Sequence, residues 1–582
     1  MEKGRKKGFL AAGLLRLGAA IRFAPKTEYL PPLPEREEEK KKSLLPPFLD
    51  AAHRLRLKSV AARASEQSFL LHLLRAFTRA MLCARMRSYG VFFFLSGLVT
   101  TLSYFASNVV GVVNGTIEHL VVGIVQIILA LWMSFDRVTL AASLKRSLFF
   151  RAALNPLFGV REWEIPDGSG KERPLVMALS GILMGIFSAL FSPSGVLFVL
   201  LFAVVVLFVF YKPEAGLFLY AVSVLFLPAE SASILIALTW ISFFCKVLVG
   251  KRSLKFGKTD LLLIPAFLWI LIGTSQVGRG LRFAAIASLY ILCCNLIKTL
   301  ENTKRLARCL SAGLGAAAAL FALRSLLFSL FPYDNWREAA LFGLIEEQSD
   351  LFLLLAMLLP VVFGFVRSSG TISARFFALA AAAACAFAFY SNGNPFLWIA
   401  VFAGLWIFAI LSYRAGLLIS LIALLFGGAV LPLLPGGVLR SLASLFGFSG
   451  GMWGKLHQGL LRAGEQFSSA LLWGTGVEKT DPAGITGIYF EIGILFGVLG
   501  MAAFYTLLIS FFFRCTVFCR ATTRREIHPL VLGAMCGILT LLAAGFFLPF
   551  TSETTASVFL ILLSFPKMAH RACEREETRL PY

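Results

Sequence analysis

Long apolar stretches alternate with short polar ones along most of this chain. Segments such as Val196–Phe210, Leu261–Gly273 and Leu351–Phe365 are apolar all round and lack the polar face of a half-buried surface helix. Runs of about 20 apolar residues cross a bilayer as helices, because every backbone N–H and C=O is then paired within the segment. The pattern predicts spans at 90–112, 118–136, 175–194, 196–210, 215–228, 230–247, 260–276, 282–298, 309–331, 349–366, 375–390, 395–412, 414–434, 485–513, 528–549 and 552–566. Because 215–247 is divided at Pro228 and the last span is short, the pattern corresponds to about 14 to 16 crossings. The expected fold class is all-α, a polytopic integral membrane helical bundle with one long loop at 435–484.

Ahead of the first span, residues 1–89 form a different region. Pro25–Pro47, with its prolines and the charge block Glu35–Lys42, has the composition of an unstructured segment. Ser65–Ser88 places Phe69, Leu70, Leu73, Leu74, Phe77 and Met81 at helical spacing, with Arg75, Arg79, Arg85 and Arg87 between them. This predicts a helix lying on the inner membrane surface. Four regions follow from the pattern: a basic cytoplasmic tail (1–89), N-terminal spans (90–194), a main membrane domain (195–566) with the loop 435–484, and a short cytoplasmic tail (567–582).

Composition agrees with membrane residence: 58% of residues are hydrophobic and only 15% charged, against roughly 25% charged in soluble domains. The net charge is +23, and residues 1–89 hold 19 Lys/Arg against 8 Asp/Glu. That excess suits a cytoplasmic tail that meets anionic membrane lipids. No nucleic-acid recognition module accompanies it, so no nucleic acid is expected as a partner. The loops Lys145–Arg173, Lys246–Lys258, Lys298–Arg308 and Arg514–Arg525 are all basic, and alternation from a cytoplasmic N-terminus puts every one of them on the cytoplasmic side. The same alternation places 276–282, 332–347, 391–394 and 435–484 outside. The ten cysteines lie in apolar segments or on basic flanks, where structural disulfides are not expected, and Cys515 and Cys519 lack the partners of a zinc site.

Candidate chemistry concentrates in the outer loop. Of six histidines only His119 and His457 face outward, and His457 opens a predicted amphipathic helix beside Lys455 and Arg462. Those cations favour a neutral imidazole, which can act as a base; a solvated loop histidine is the plainer alternative. Glu491 lies near the outer end of an apolar span, where a buried carboxylate needs a partner and a headgroup-level one does not. Glu346, Glu347 and Asp350 form an acidic cluster within reach of Arg337, or simply complement a helix N-terminus. Ser391-Asn392-Gly393-Asn394 is a tight turn, with Pro395 opening the next helix.

Four landmarks, in order, carry a resemblance. They are Tyr211-Lys212-Pro213-Glu214-Ala215-Gly216; Leu341-Phe342-Gly343 followed by a span holding Leu358-Leu359-Pro360; Trp453 to Gly476, ending in Leu472-Trp473-Gly474-Thr475-Gly476; and Tyr489–Gly500 with Glu491, Gly493 and Gly497. Over residues 195–566 the chain resembles the O-antigen ligase and O-antigen polymerase superfamily of bacterial envelope glycan enzymes. The resemblance implies a metal-independent, cofactor-free glycosyltransferase of the GT-C type in the cell membrane. Its implied donor is a polyprenyl-diphosphate-linked glycan, and its acceptor a glycan or lipid. In the family an outer-face arginine engages the diphosphate and a loop histidine activates the acceptor. Here Arg337, Arg440 or Arg462 would stand in for the first and His457 for the second, none of them on the motif. The candidate residues are therefore His457 and Glu491 for catalysis and Arg337, Lys455, Arg462, Trp453 and Trp473 for substrate contact. The chain departs from the family at two points, with Asn392 in place of an arginine and Pro482-Ala483 in place of a His-Asn pair. Three functions stay open: a transferase, a non-catalytic relative that binds lipid-linked glycan or scaffolds an envelope complex, and a transporter.

Overall fold

A computed structural model describes residues 78–110, 116–166, 174–226, 229–248, 252, 254–256, 277–330, 348–392, 394–413, 416–418, 420, 422, 458, 461, 465, 472, 474, 487–521, 526–546, 548 and 553–577. The described residues are almost wholly helical and contain no strand. Nine of their helices are long and apolar enough to cross a membrane. The protein is therefore an all-α, multi-pass helical membrane protein. The chain divides into two compact units.

One unit comprises Leu45–Gly216 with Ile241–Ser253. It contains α1 (Met86–Val110), α2 (Ile117–Ser134), the short α3 (Leu140–Arg146), α4 (Pro174–Leu190) and α5 (Pro193–Tyr211). Small residues bring α1, α2 and α4 together. A Cβ on Gly97 would stand 2.7 Å from the Gly123 carbonyl oxygen, and one on Gly181 would stand 2.5 Å from that of Phe92. Backbones approach this closely only where side chains are absent, and such seams drive helix association where lipid is as apolar as leucine. The remaining faces are large and apolar: Val121, Ile124, Val125, Ile128 and Trp132 on α2, and Leu179, Leu183 and Phe187 on α4, are all exposed.

In place of a surface helix continuous to residue 88, the described part is helical at 78–83 and stops at Ala84–Arg85. There the Leu140 N–H donates to Ala84 O and the Met86 N–H to Val138 O, both at 2.9 Å. Backbone pairing with 138–140 takes the groups that a continuous helix would use.

The second unit comprises Leu217–Trp240 and Leu254–Tyr582, together with Met1–Leu44. Two helices, α6 (Pro213–Ser223) and α7 (Ala229–Leu248), contribute residues to both units. They are followed by α8 (Val277–Leu296), α9 (Leu300–Leu330), α10 (Gln348–Ser369), α11 (Ile372–Asn392), α12 (Pro395–Ser412), α13 (Ile488–Ala521), α14 (His528–Ala544) and α15 (Glu553–Glu577). At the centre are α10, with 78% of its apolar window buried, and α14, buried at almost every position. They meet through glycines: a Cβ on Gly533 would lie 2.7 Å from Pro360 O, and one on Gly537 2.5 Å from Met357 O. α12 joins them at Gly404, which faces the Thr540 hydroxyl.

The predicted spans match these helices closely, with three extensions, one of them α13, which runs on from the predicted end at 513 to Ala521. α9 begins at Leu300, two turns ahead of the predicted start, and its 31 residues reach about 46 Å at 1.5 Å per residue. The added turns carry Glu301 and Arg305, paired at i,i+4. α15 runs on through Pro566 to Glu577. The predicted spans 260–276 and 414–434 lie wholly or largely outside the described residues, as does the loop 435–484 apart from five isolated positions.

Polar pairs join helix ends that the alternation places on one side. In the second unit Lys304 pairs with Glu526, whose carbonyl accepts from the Ser368 hydroxyl. Arg571 donates to Cys294 O at 2.5 Å, and Arg367 to Ser412 O at 2.7 Å. Arg282 and Glu553, at the opposite ends of α8 and α15, lie 3.9 Å apart. In the first unit Lys212 donates to Gly159 O at 2.6 Å, Lys246 to Tyr211 O at 2.5 Å, and Arg252 binds the buried Glu214. All of these except Arg282–Glu553 involve the basic or short loops predicted to share a face.

Candidate functional site

Of the seven residues singled out for a site, Glu491 is described; Arg337, Trp453, Lys455, His457, Arg462 and Trp473 lie outside the described residues, as do Glu346 and Glu347. Glu491 falls in the first turn of α13, where a carboxylate complements the positive end of the helix dipole. The residue is only 3% exposed, so the protein itself covers this carboxyl group. Its backbone N–H donates to Gly487 O at 3.2 Å.

The start of α13 is tied to the end of α14. Ile488 N–H donates to Gly545 O at 2.7 Å, and the Tyr489 hydroxyl to Leu542 O at 2.9 Å. The Tyr489 and Phe546 rings stand 4.7 Å apart. Gly487, with φ +96°, admits this approach; a Cβ there would lie 2.9 Å from Gly545 O. These contacts fix the turn that carries Glu491.

α13 is itself broken. Gly497 adopts φ 66° and ψ −170° inside it, a region essentially reserved for glycine. Beside this break sits Gly474, from the Leu472–Gly476 motif. At φ +75°, its Cα faces the backbone of Leu495 and Phe496, and a Cβ would collide with Leu495 O and lie 2.6 Å from Phe496 N. Gly474 of the Leu472–Gly476 motif therefore meets the Tyr489–Gly500 segment backbone to backbone. A break in a membrane helix leaves carbonyls of one half and N–H groups of the other without intrahelical partners, which is how discontinuous helices hold polar ligands.

Of the predicted turn 391–394, Ser391 and Asn392 instead end α11, Gly393 lies outside the described residues, and only Asn394 is non-helical. Asn394 caps α12, accepting from Phe396 N–H at 3.0 Å, and Pro395 takes the first helical position. All ten cysteines are free thiols, eight of them buried. Among the described residues no three His, Cys, Asp or Glu side chains converge as metal ligands.

Several polar contacts were not anticipated from sequence. Tyr220, 2% exposed, hydrogen-bonds Ser557, and Trp240 donates to Ser288 Oγ at 2.6 Å. Glu214 was visible in the Tyr211–Gly216 motif, but its partner Arg252 lies 38 residues on. Only the fold supplies that pairing. No protein-family profile matches the chain, and no curated protein matches it.

Proposed function

We propose that the chain is an O-antigen ligase- or polymerase-like membrane enzyme that transfers glycan from a polyprenyl-diphosphate donor at the outer face of the cell membrane. In this reading both termini are cytoplasmic, and the loop 435–484 stands outside. The observation that carries it is the seating of Gly474 on the broken helix α13, beside the buried Glu491. This supports the reading because it joins two of the four motif segments that carry the family resemblance.

The chemistry is a single displacement. An acceptor hydroxyl oxygen attacks the anomeric carbon, the bond from that carbon to the diphosphate oxygen breaks, and the polyprenyl diphosphate departs with the electron pair. His457 takes the acceptor proton as general base. Arg337, Arg462 and Lys455 engage the diphosphate, the arginines through paired N–H donors. Trp453 and Trp473 offer flat apolar faces to the sugar rings. Glu491 orients the loop and the acceptor from the start of α13.

Purified protein in liposomes, given a fluorescent polyprenyl-diphosphate oligosaccharide and an acceptor, is expected to form the elongated or transferred product. His457→Ala is expected to lower turnover by about 100-fold or more, as loss of a general base does. Full turnover in that variant removes the base assignment. A second reading is favoured by Asn392 and Pro482, which stand where the family carries arginine and histidine. In it the protein binds lipid-linked glycan without turnover, and saturable donor binding with no product from the wild-type chain selects it.

A further inference from the structure

The seams that α1 makes with α2 and α4 hold polar groups that the proposed transfer does not use. The Ser96 hydroxyl, the Thr101 hydroxyl, Gln126 Oε1 and His119 Nε2 are all buried and find no hydrogen-bond partner among the described residues. Ser96 is 0% exposed, His119 4% and Gln126 6%. Their neighbours Thr100 and Ser103 are satisfied by carbonyls of their own helix, at 2.8 and 2.7 Å. Unpartnered buried polar atoms are uncommon, because each forfeits the hydrogen bonds it would make in water. Four around α1, three of them in its seam with α2, therefore point to a ligand.

The geometry orders them. His119 Nδ1 faces the Thr116 N–H at 3.3 Å, so Nδ1 accepts and the neutral ring carries its proton on Nε2, inside the seam. Thr101 Oγ1 lies against Gly123, and Gln126 Cβ stands 3.0 Å from where a Cβ on Gly97 would be. Ser96 lies at the α4 side, its carbonyl 3.0 Å from a Cβ on Gly185. From His119 to Gln126 is seven residues, about 10 Å along the helix. The file thus leads from the end of α2 into the middle of an apolar span.

We infer that this seam binds internal water, with Gln126 Oε1 as its deepest acceptor. The set contains a donor (His119 Nε2–H), an acceptor (Gln126 Oε1) and two hydroxyls that do both. Water, which donates and accepts, satisfies all four. A cation does not fit as well. The nearby carboxylate, Glu118, is half-buried and already accepts from Ser194 N–H at 2.8 Å, and an uncompensated charge at this depth is costly.

Water-edited solid-state NMR on the full chain in lipid bilayers, labelled at Ser, Thr, Gln and Ala, tests this. Polarisation from water is expected to reach the Thr101 and Gln126 side chains at least threefold faster than Ala130, which is buried on the same face of α2 without a polar group. Transfer as slow as at Ala130 overturns the proposal. A folded Gln126→Leu protein is expected to lose the rapid transfer at Thr101; undiminished transfer there overturns the role of Gln126. Shifts of the Thr101 and Gln126 resonances when Na⁺ is replaced by N-methylglucamine, with no rapid water transfer, overturn it in favour of a bound monovalent cation.

Discussion

Gly370 and Gly474 both hold positive φ, +65° and +75°, but their surroundings differ: nothing lies within 4 Å of a Cβ on Gly370, whereas one on Gly474 strikes the Leu495–Phe496 backbone. Gly370→Ala should therefore cost only the left-handed backbone term, about 1 kcal/mol. Gly474→Ala should add the loss of its seat on α13. Thermal unfolding in detergent is expected to show a clearly lower midpoint for Gly474→Ala than for Gly370→Ala, and limited proteolysis faster cleavage within 435–484. Equal midpoints and unchanged cleavage would mean that the seat holds nothing in place. Gly474 was legible as a motif residue, but its reason was not. The backbone it touches is 21 residues further on, and no local pattern encodes that approach. Glu491 was likewise legible as a candidate, while its burial depended on Tyr489 and Ile488 engaging the end of α14.

At the scale of the element, hydropathy and packing separate. α4 has an apolar residue at nearly every position, yet its buried face is Met177, Gly181, Gly185 and Ser188, and its leucines point away. Gly181→Leu forces a side chain into the Phe92 backbone and is expected to destabilise by about 1–3 kcal/mol, the range for overpacking. Leu179→Ala, on the exposed face, is expected to stay within about 0.5 kcal/mol. Unfolding of the two variants in the same lipid distinguishes a small-residue seam from a face packed by leucine; the opposite ranking would assign the wrong face to α4. The glycine spacing in α4 was present in the sequence. An unbroken apolar run gives no sign of which stripe meets protein and which meets lipid.

For the whole molecule, the pairing of same-side helix ends agrees with the alternation read from the basic loops, and absolute orientation rests on charge. In a cysteine-free background, a cysteine replacing Ser449 is expected to react with a membrane-impermeant maleimide in intact cells. One replacing Thr523, between α13 and α14, is expected to react only after permeabilisation. The reverse pattern inverts the topology and with it the outer-face site.

Helix identity and approximate helix ends were determined by the sequence alone, because pairing every backbone group inside lipid is a local demand met within about 20 residues. The ranking of helices was not. α5 has the highest hydropathy of the nine candidate spans, yet only 6% of its apolar window is buried, while the less apolar α10 is 78% buried. A leucine is as well satisfied by lipid as by protein, so apolarity says that a helix enters the membrane and nothing about its neighbours. The central place of α10 and α14, the seat of Gly474 on broken α13 and the polar file between α1 and α2 were decided by close backbone approach between distant segments, which only the tertiary structure supplies.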